Sequence, residues 1–221
     1  MIFIDEEGKA DRMPHTLLLF FFSLCVTLLL SACSSTSKTT HGKPLLKDGR
    51  YASSYDAFVA DPQYRFTRDI WYHDERICQA RPKNSKVIIH LKDQRGELWV
   101  NSKPAMNFPV CTGKSSHETP RGKFSIIQKD AEYRSHSYGS VFNANGVCVN
   151  SDATASSHVP TGGQFIGAKL PLWMRIHEGI GLHVGTVYRD ADSHGCIRVP
   201  VEACRILFDK CSVGTTVIVQ E

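Results

Sequence analysis

The sequence predicts a mainly β fold of one domain, with a single helix late in the chain. Three observations carry that reading. From about residue 86 onward, short apolar runs alternate with turn residues, the spacing of strands and not of helices. Only residues 201–210 carry helical punctuation, with Pro200 at the first turn and Glu202 near the positive end. The 221 residues suffice for one ordinary domain plus a leader and are tight for two, and no internal repeat appears. Hydrophobic residues at 42% and charged residues at 22% support a packed core and argue against disorder.

Taken in order, the elements begin with a leader. Residues 17–30 read LLLFFFSLCVTLLL. That run is short for a helix that crosses a bilayer, which needs about 20 residues. It has the length of a signal-peptide core, with Lys9 and Arg12 ahead of it. A start at Met13 would remove the acidic stretch that precedes this core. The run ends in Leu30-Ser31-Ala32-Cys33, which resembles the lipobox of bacterial lipoproteins. The resemblance implies a leader over residues 1–32 and an acylated Cys33 that holds the chain on a membrane surface. With Ser34 and not Asp after the cysteine, it further implies the outer membrane if the envelope is Gram-negative. The plainer alternative is an ordinary secretory signal in which Cys33 is incidental. Residues 34–47 are rich in Ser, Thr and Lys without apolar periodicity and read as a solvated tether. Residues 48–84 mix Tyr51, Tyr55, Phe58, Tyr64, Phe66, Trp71 and Tyr72 with charges and proline, and read as a partly helical segment that wraps the domain.

The domain itself is expected over residues 85–221. Residues 87–91, 93–96 and 97–100 read as strand, turn and strand. Residues 106–111 and 123–127 read as further strands. Residues 129–165, rich in Ser, Asn, Gly and Asp, read as a long loop or insertion over the core, a common form for a binding lid. Strands follow at 172–176 and 181–184, then the helix at 201–210 and a closing strand at 215–219.

The formal net charge is +4, and it rises to +6 without the first 33 residues, which hold four acids and two bases. A mildly basic protein suits an anionic polymer. No run of Lys and Arg interleaved with aromatics appears, so nucleic acid is not an expected partner.

The chemistry concentrates in GLHVGTVYRDADSHGCIRV, residues 181–199. It brings together His183, Ser193, His194, Gly195, Cys196 and Arg198. A thiol attacks as its thiolate, and an imidazole can take the proton. Gly195 permits a sharp turn that aims backbone N–H groups at a developing oxyanion. A helix soon after Cys196 would favour the anion through its dipole. Arg198 offers a planar fork for a carboxylate. The same residues also fit a metal site formed by His183, His194 and Cys196 with Cys204 or Cys211, or a disulfide at Cys196.

Ser193-His194-Gly195-Cys196-Ile197-Arg198 resembles the signature of the L,D-transpeptidase catalytic domain, the YkuD family, and His183 fits its upstream histidine. Cys111-Thr112-Gly113-Lys114 and Thr119-Pro120-Arg121-Gly122-Lys123-Phe124 are similar to further stretches of that family. So are residues 172–176, 179–183 and 214–217. The likeness runs from about Lys86 to the C-terminus. The nine residues between His183 and Ser193 are fewer than in many members and match a short-spacer branch.

The resemblance implies a β-sandwich or barrel-like catalytic domain, with the helix following the catalytic cysteine. It implies that Cys196 attacks the bond between a diamino acid and the terminal D-alanine of a peptidoglycan stem, with His183 as base. A carbonyl at Val184 or Gly185 would orient the imidazole. Gly195 and Cys196 would supply oxyanion donors, and Ser193 and His194 would shape the turn. Arg198, Tyr188 and Trp173 are candidate substrate contacts, and Arg198 is equally a brace for the turn. The acceptor would be another stem, a protein lysine, a free amino acid or, in a hydrolase on the same fold, water. No metal or organic cofactor is implied. A non-catalytic wall-binding lipoprotein is the remaining alternative. Of the eight cysteines, Cys78, Cys111, Cys148, Cys204 and Cys211 have no assignable pairing. Cys204 and Cys211 would lie about 10 Å apart along a helix, too far to bridge.

Overall fold

Strand formation follows the alternation of apolar and polar residues, and two sheets share the resulting core. The computed structural model describes residues 54–221; the leader, Cys33 and the tether lie outside the described residues. Thirteen strands and three helices are described. In chain order they begin with α1 (Tyr55–Val59), β1 (Trp71–Tyr72), α2 (Asp74–Cys78), β2 (Ser85–His90), β3 (Arg95–Val100) and β4 (Lys103–Pro109). Then come β5 (Gly122–Ser125), β6 (Gln128–Asp130), β7 (Arg134–Phe142), β8 (Cys148–Thr154) and β9 (Gln164–Lys169). The series ends with β10 (Trp173–His177), β11 (Ile180–Val184), β12 (Ile197–Val199), α3 (Val201–Lys210) and β13 (Thr216–Gln220).

A six-stranded sheet runs β1-β4-β3-β2-β13-β5 and a four-stranded sheet runs β12-β11-β10-β6. Val87, Ile89, Leu98 and Val217 from the first meet Met174, Leu182, Ile197 and Val199 from the second in one buried cluster. Helix α3 closes that cluster with Ala203, Cys204 and Leu207. The fold is therefore mainly β and sandwich-like, as expected. Two short helices upstream, α1 and α2, lie within residues 48–84, the segment read as partly helical.

Residues 54–69 cover the outer face of the six-stranded sheet, whereas β1 extends its edge and Ile70, Ile77 and Ala80 join the core cluster. Along β3, Leu98 and Val100 point into the core, so the period of two turns Arg95 and Glu97 outward. Both are nonetheless buried, because the N-terminal segment roofs them. Arg95 Nη1 and Nη2 donate to the carbonyls of Thr67 (2.9 Å) and Asp69 (3.0 Å), and Nε donates to Asn107 Oδ1 (2.9 Å). Tyr55 and Trp99 donate to the Glu97 carboxylate, and Asn107 Nδ2 donates to Tyr64 Oη.

The long loop expected over residues 129–165 is corrected. It contains β6, β7 and β8, and with β9 the last two form a separate three-stranded sheet in the order β8-β7-β9. The missing signal has a physical cause. These strands are exposed on much of both faces, so no apolar alternation marks them, and backbone pairing alone defines them.

Candidate active site

Strands β11 and β12 are parallel neighbours, with Leu182 beside Ile197, His183 beside Arg198 and Val184 beside Val199. Leu182, Ile197 and Val199 point into the core and are buried. Alternation therefore places His183, Arg198 and, two residues before it, Cys196 on the opposite face. Parallel neighbours cannot be joined by a tight hairpin. The crossover over residues 185–196 is what carries the SHGC stretch.

A second stretch holds that crossover down. The carbonyl of Thr112 accepts from the N–H groups of Asp192 and Ser193, each at 3.0 Å, and Lys114 N–H donates back to the Ser193 carbonyl at 3.0 Å. Cys111 and Arg198 exchange backbone hydrogen bonds at 3.0 and 2.9 Å. Gln94 fixes Thr112 in turn, through its amide oxygen on the backbone and its amide nitrogen on the hydroxyl. Thr119 accepts from Gly113 N–H (2.9 Å) and donates to the Gly195 carbonyl (2.8 Å), so the TPRGKF stretch buttresses the turn that precedes Cys196. Gly113 must be glycine: a Cβ there would lie 1.9 Å from the His117 carbonyl oxygen. Gly195 has φ +107°, a conformation that only glycine adopts without strain. The supporting roles of Gln94 and Thr119 escaped the sequence reading, because neither borders the thiol in the chain.

Cys196 and His183 line a cleft of about 480 Å³. One wall is the four-stranded sheet, with Arg175, Ile180, His183 and Arg198. The other is the small sheet, through Tyr133, Ser135, His136 and Tyr138 of β7 and its approach, with Ala168 and Leu170 at β9. His194 lines the rim, packed 4.9 Å from His117 and 4.8 Å from Tyr138, ring centre to ring centre. Burial lowers the His194 pKa, and the charge of Lys114 adds to that effect.

His183 Nδ1 lies 2.9 Å from the Val184 carbonyl oxygen. A carbonyl only accepts, so Nδ1 carries the proton and Nε2 is left with its lone pair. Burial holds the His183 pKa below its ordinary value, the bond to Val184 opposes this, and Arg198 adds to it. Burial likewise pushes the Cys196 thiol up, while a backbone hydrogen bond at Gly181 and the charge of Arg198 pull it down. The thiol Sγ lies 3.6 Å from the Gly179 carbonyl, which it approaches as a donor. At neutral pH the resting pair is therefore thiol and neutral imidazole, not thiolate and imidazolium.

That protonation state sets a pH dependence. Alkylation of Cys196 by iodoacetamide is expected to rise with pH and to reach half its maximum above the ordinary thiol value of about 8.5. A thiolate plateau already present below about pH 6, as in cysteines paired with an imidazolium, would contradict the resting state assigned here.

Several expectations need correction. The expected help from a helix dipole is not found: α3 begins at Val201, as expected, but β12 lies between it and Cys196, which leaves the thiol outside the helix's first turn. The Gly195 N–H donates to Ser193 Oγ (3.1 Å), whose hydroxyl donates to the Cys196 carbonyl (2.5 Å). Of the two expected oxyanion donors, only the Cys196 N–H remains uncommitted. Trp173 does not line the cleft. It is 0% exposed, and Tyr133 stacks over it at 4.8 Å and 11°. Its ring lies on the correct face, 6.1 Å from His183, but the small sheet roofs it. Tyr188, 48% exposed, lies outside the cleft, over the guanidinium of Arg198.

Arg198 borders the cleft but is tied to its own loop, to Asp192 Oδ2 at 3.1 Å and to the Asp192 carbonyl at 3.3 Å. Cys78, Cys111, Cys148, Cys196, Cys204 and Cys211 are all free thiols. Among the described residues no group of three or more His, Cys, Asp or Glu side chains could hold a metal ion.

Fold and site together place a cysteine and a histidine on one face of a β-sandwich, opening into a cleft. The family description of the L,D-transpeptidase catalytic domain, YkuD, matches residues 84–219, and the chain belongs to that family. No curated protein matches the chain. Among solved structures, an L,D-transpeptidase from Mycobacterium smegmatis is similar, at 20% identity and a TM-score of 0.47, over 62% of this chain and 59% of that one. One from Stackebrandtia nassauensis gives 22% identity and 0.47, over 77% and 68%. One from Enterococcus faecium gives 22% and 0.45, over 62% and 50%. The chain thus spans 59% of the length of the Mycobacterium smegmatis protein.

Proposed function

We propose that this protein is a peptidoglycan L,D-transpeptidase. The observation that carries the reading is the shared sheet face of Cys196 and His183, opening into the cleft between the four-stranded sheet and the small sheet. His183 Nε2 takes the thiol proton while Sγ attacks the carbonyl carbon of the diamino acid–D-alanine bond. The Cys196 N–H faces the resulting oxyanion. The intermediate collapses with the C–N bond breaking, His183 returns the proton to the leaving D-alanine amine, and a thioester remains. An acceptor amine then attacks the thioester, and the thiol is regenerated.

The lipobox-like end of the leader supports an anchor at Cys33, which would hold the cleft against the wall from a membrane surface of the cell envelope. In a Gram-negative cell, Ser34 favours the outer membrane. A lysine of an envelope protein is an acceptor of the same chemistry as a stem diamino acid.

The test is mass spectrometry of residues 34–221 incubated with stem tetrapeptide fragments, beside Cys196→Ala. Cross-linked or amino-acid-exchanged products from the first protein alone are expected. Tripeptide as the sole product would make the protein an L,D-carboxypeptidase. Product from the Cys196→Ala variant would remove the thiol from the chemistry.

A further inference from the structure

The cleft is bordered by two arginines, and their surroundings differ. Arg198 is engaged by Asp192 on both guanidinium nitrogens that it directs to the loop. Arg175 has no carboxylate partner among the described residues. Its Nη2 donates to Tyr133 Oη at 3.1 Å, and its Nε is buried with no hydrogen-bond partner. Glu178, an acid on the same cleft, pairs instead with His177 at 3.8 Å.

The position of Arg175 is fixed on both sides. It lies in the middle of β10, paired with Gly181 of β11 and Gln128 of β6, and its carbonyl accepts from Ile127 N–H at 2.8 Å. Tyr133, whose ring lies 5.7 Å from the guanidinium carbon, is itself stacked on buried Trp173. The guanidinium lines the cleft with a phenol oxygen and no carboxylate against it, and a half-buried cation is costly unless an anion completes it. The guanidinium fork is shaped for a carboxylate.

We propose that Arg175 is the carboxylate receptor of this cleft, a positioning residue that holds a carboxylate of the donor peptide while Cys196 attacks beside it. The inference rests on the reading of the site given above. Two carboxylates of a donor stem have this chemistry: that of the terminal D-alanine and, where the diamino acid bears one, its distal carboxylate. Either would take the Arg175 fork, with Tyr133 Oη as a further donor. The face shared with His183 brings the bound anion to the reacting bond.

The experiment compares three tetrapeptide donors: the free acid, the C-terminal amide, and the peptide amidated on the distal carboxylate of its diamino acid. The wild-type enzyme is expected to favour the free acid over one amide by roughly 10- to 100-fold in kcat/KM, the range of a lost hydrogen bond to a charged group. Whichever amide is poor identifies the carboxylate. In Arg175→Gln the preference is expected to vanish, mainly through KM, with kcat changed far less. Equal use of all three donors by the wild type would overturn the proposal, whatever the variant does.

A second readout needs no turnover. Iodoacetate is anionic and iodoacetamide is neutral, and both alkylate Cys196. Their rate ratio is expected to fall at least about tenfold in Arg175→Gln, with the iodoacetamide rate preserved. An unchanged ratio overturns the receptor. If no donor is processed at all, the transpeptidase reading fails and the alkylation ratio still decides the role of Arg175.

Discussion

Replacing His183 by glutamine is expected to slow thioester formation on Cys196 by about 10²- to 10⁴-fold, the contribution of a positioned general base. The thiol is protonated at rest, because burial raises its pKa, so attack at neutral pH requires a group to take the proton. His183 is equipped for this. Its Nδ1–H is held by the Val184 carbonyl, and burial keeps the ring neutral with Nε2 as the acceptor. Intact-mass measurement of acyl-enzyme after mixing with a tetrapeptide donor reads the rate directly. Alkylation by iodoacetamide well above the thiol pKa should be nearly unchanged in the variant, since a thiolate formed by alkali needs no base. Acylation within tenfold of the wild-type rate would take the base role away from His183.

The second large effect concerns the outer face of the six-stranded sheet. Arg95→Met is expected to destabilise the protein by about 3–5 kcal/mol, the range for removing one member of a buried charged network. Arg95 is 0% exposed and lies 5.4 Å from the Phe58 ring and 5.2 Å from the Tyr64 ring. Burial draws its pKa down to about 10, so it remains charged at neutral pH. Its loss strands the carbonyls of Thr67 and Asp69 and the amide oxygen of Asn107. At about 2–4 °C per kcal/mol for a domain of this size, Tm should drop by roughly 10 °C.

The damage should reach the catalytic crossover as well. Arg68, between those two carbonyl anchors, donates to the Val187 carbonyl in the loop that leads to Cys196. Faster proteolysis within residues 60–69 and lower activity should therefore accompany the loss. A destabilisation below about 1 kcal/mol would mean that the aromatic contacts alone hold the segment.

Most of the core could be read from the chain because its strands obey one rule. Where one face is buried, the period of two is written into the side chains, as in β13, and where both faces are covered a short apolar run marks the strand, as in β2. Helix α3 has the same bounds in the sequence reading and in the structure, since Pro200 marks its start and the apolar spacing its inner face. The small sheet was unreadable for the converse reason. Strands β7 and β8 bury few residues, and polar side chains on both faces look the same in a strand as in a loop.

The site divides along the same line. The residue types in SHGC and its upstream histidine, and their likeness to one family, pointed to thiol chemistry before any geometry. Amino-acid type dictates what a thiol and an imidazole can do. The sequence could not say which polar group was already engaged. Asp192 takes Arg198 and leaves Arg175, Tyr133 roofs Trp173, and Ser193 Oγ occupies the Gly195 N–H. Some of these partners are close in the chain and others are distant, but spacing predicts none of the choices. Each depends on which atoms the packed sheets bring within about 3 Å, the range over which a hydrogen bond forms. The sequence thus determined the chemistry and the core strands, through residue type and periodicity. The tertiary structure alone decided which groups remain free to meet a substrate, because hydrogen bonding is a short-range competition settled only after the chain has folded.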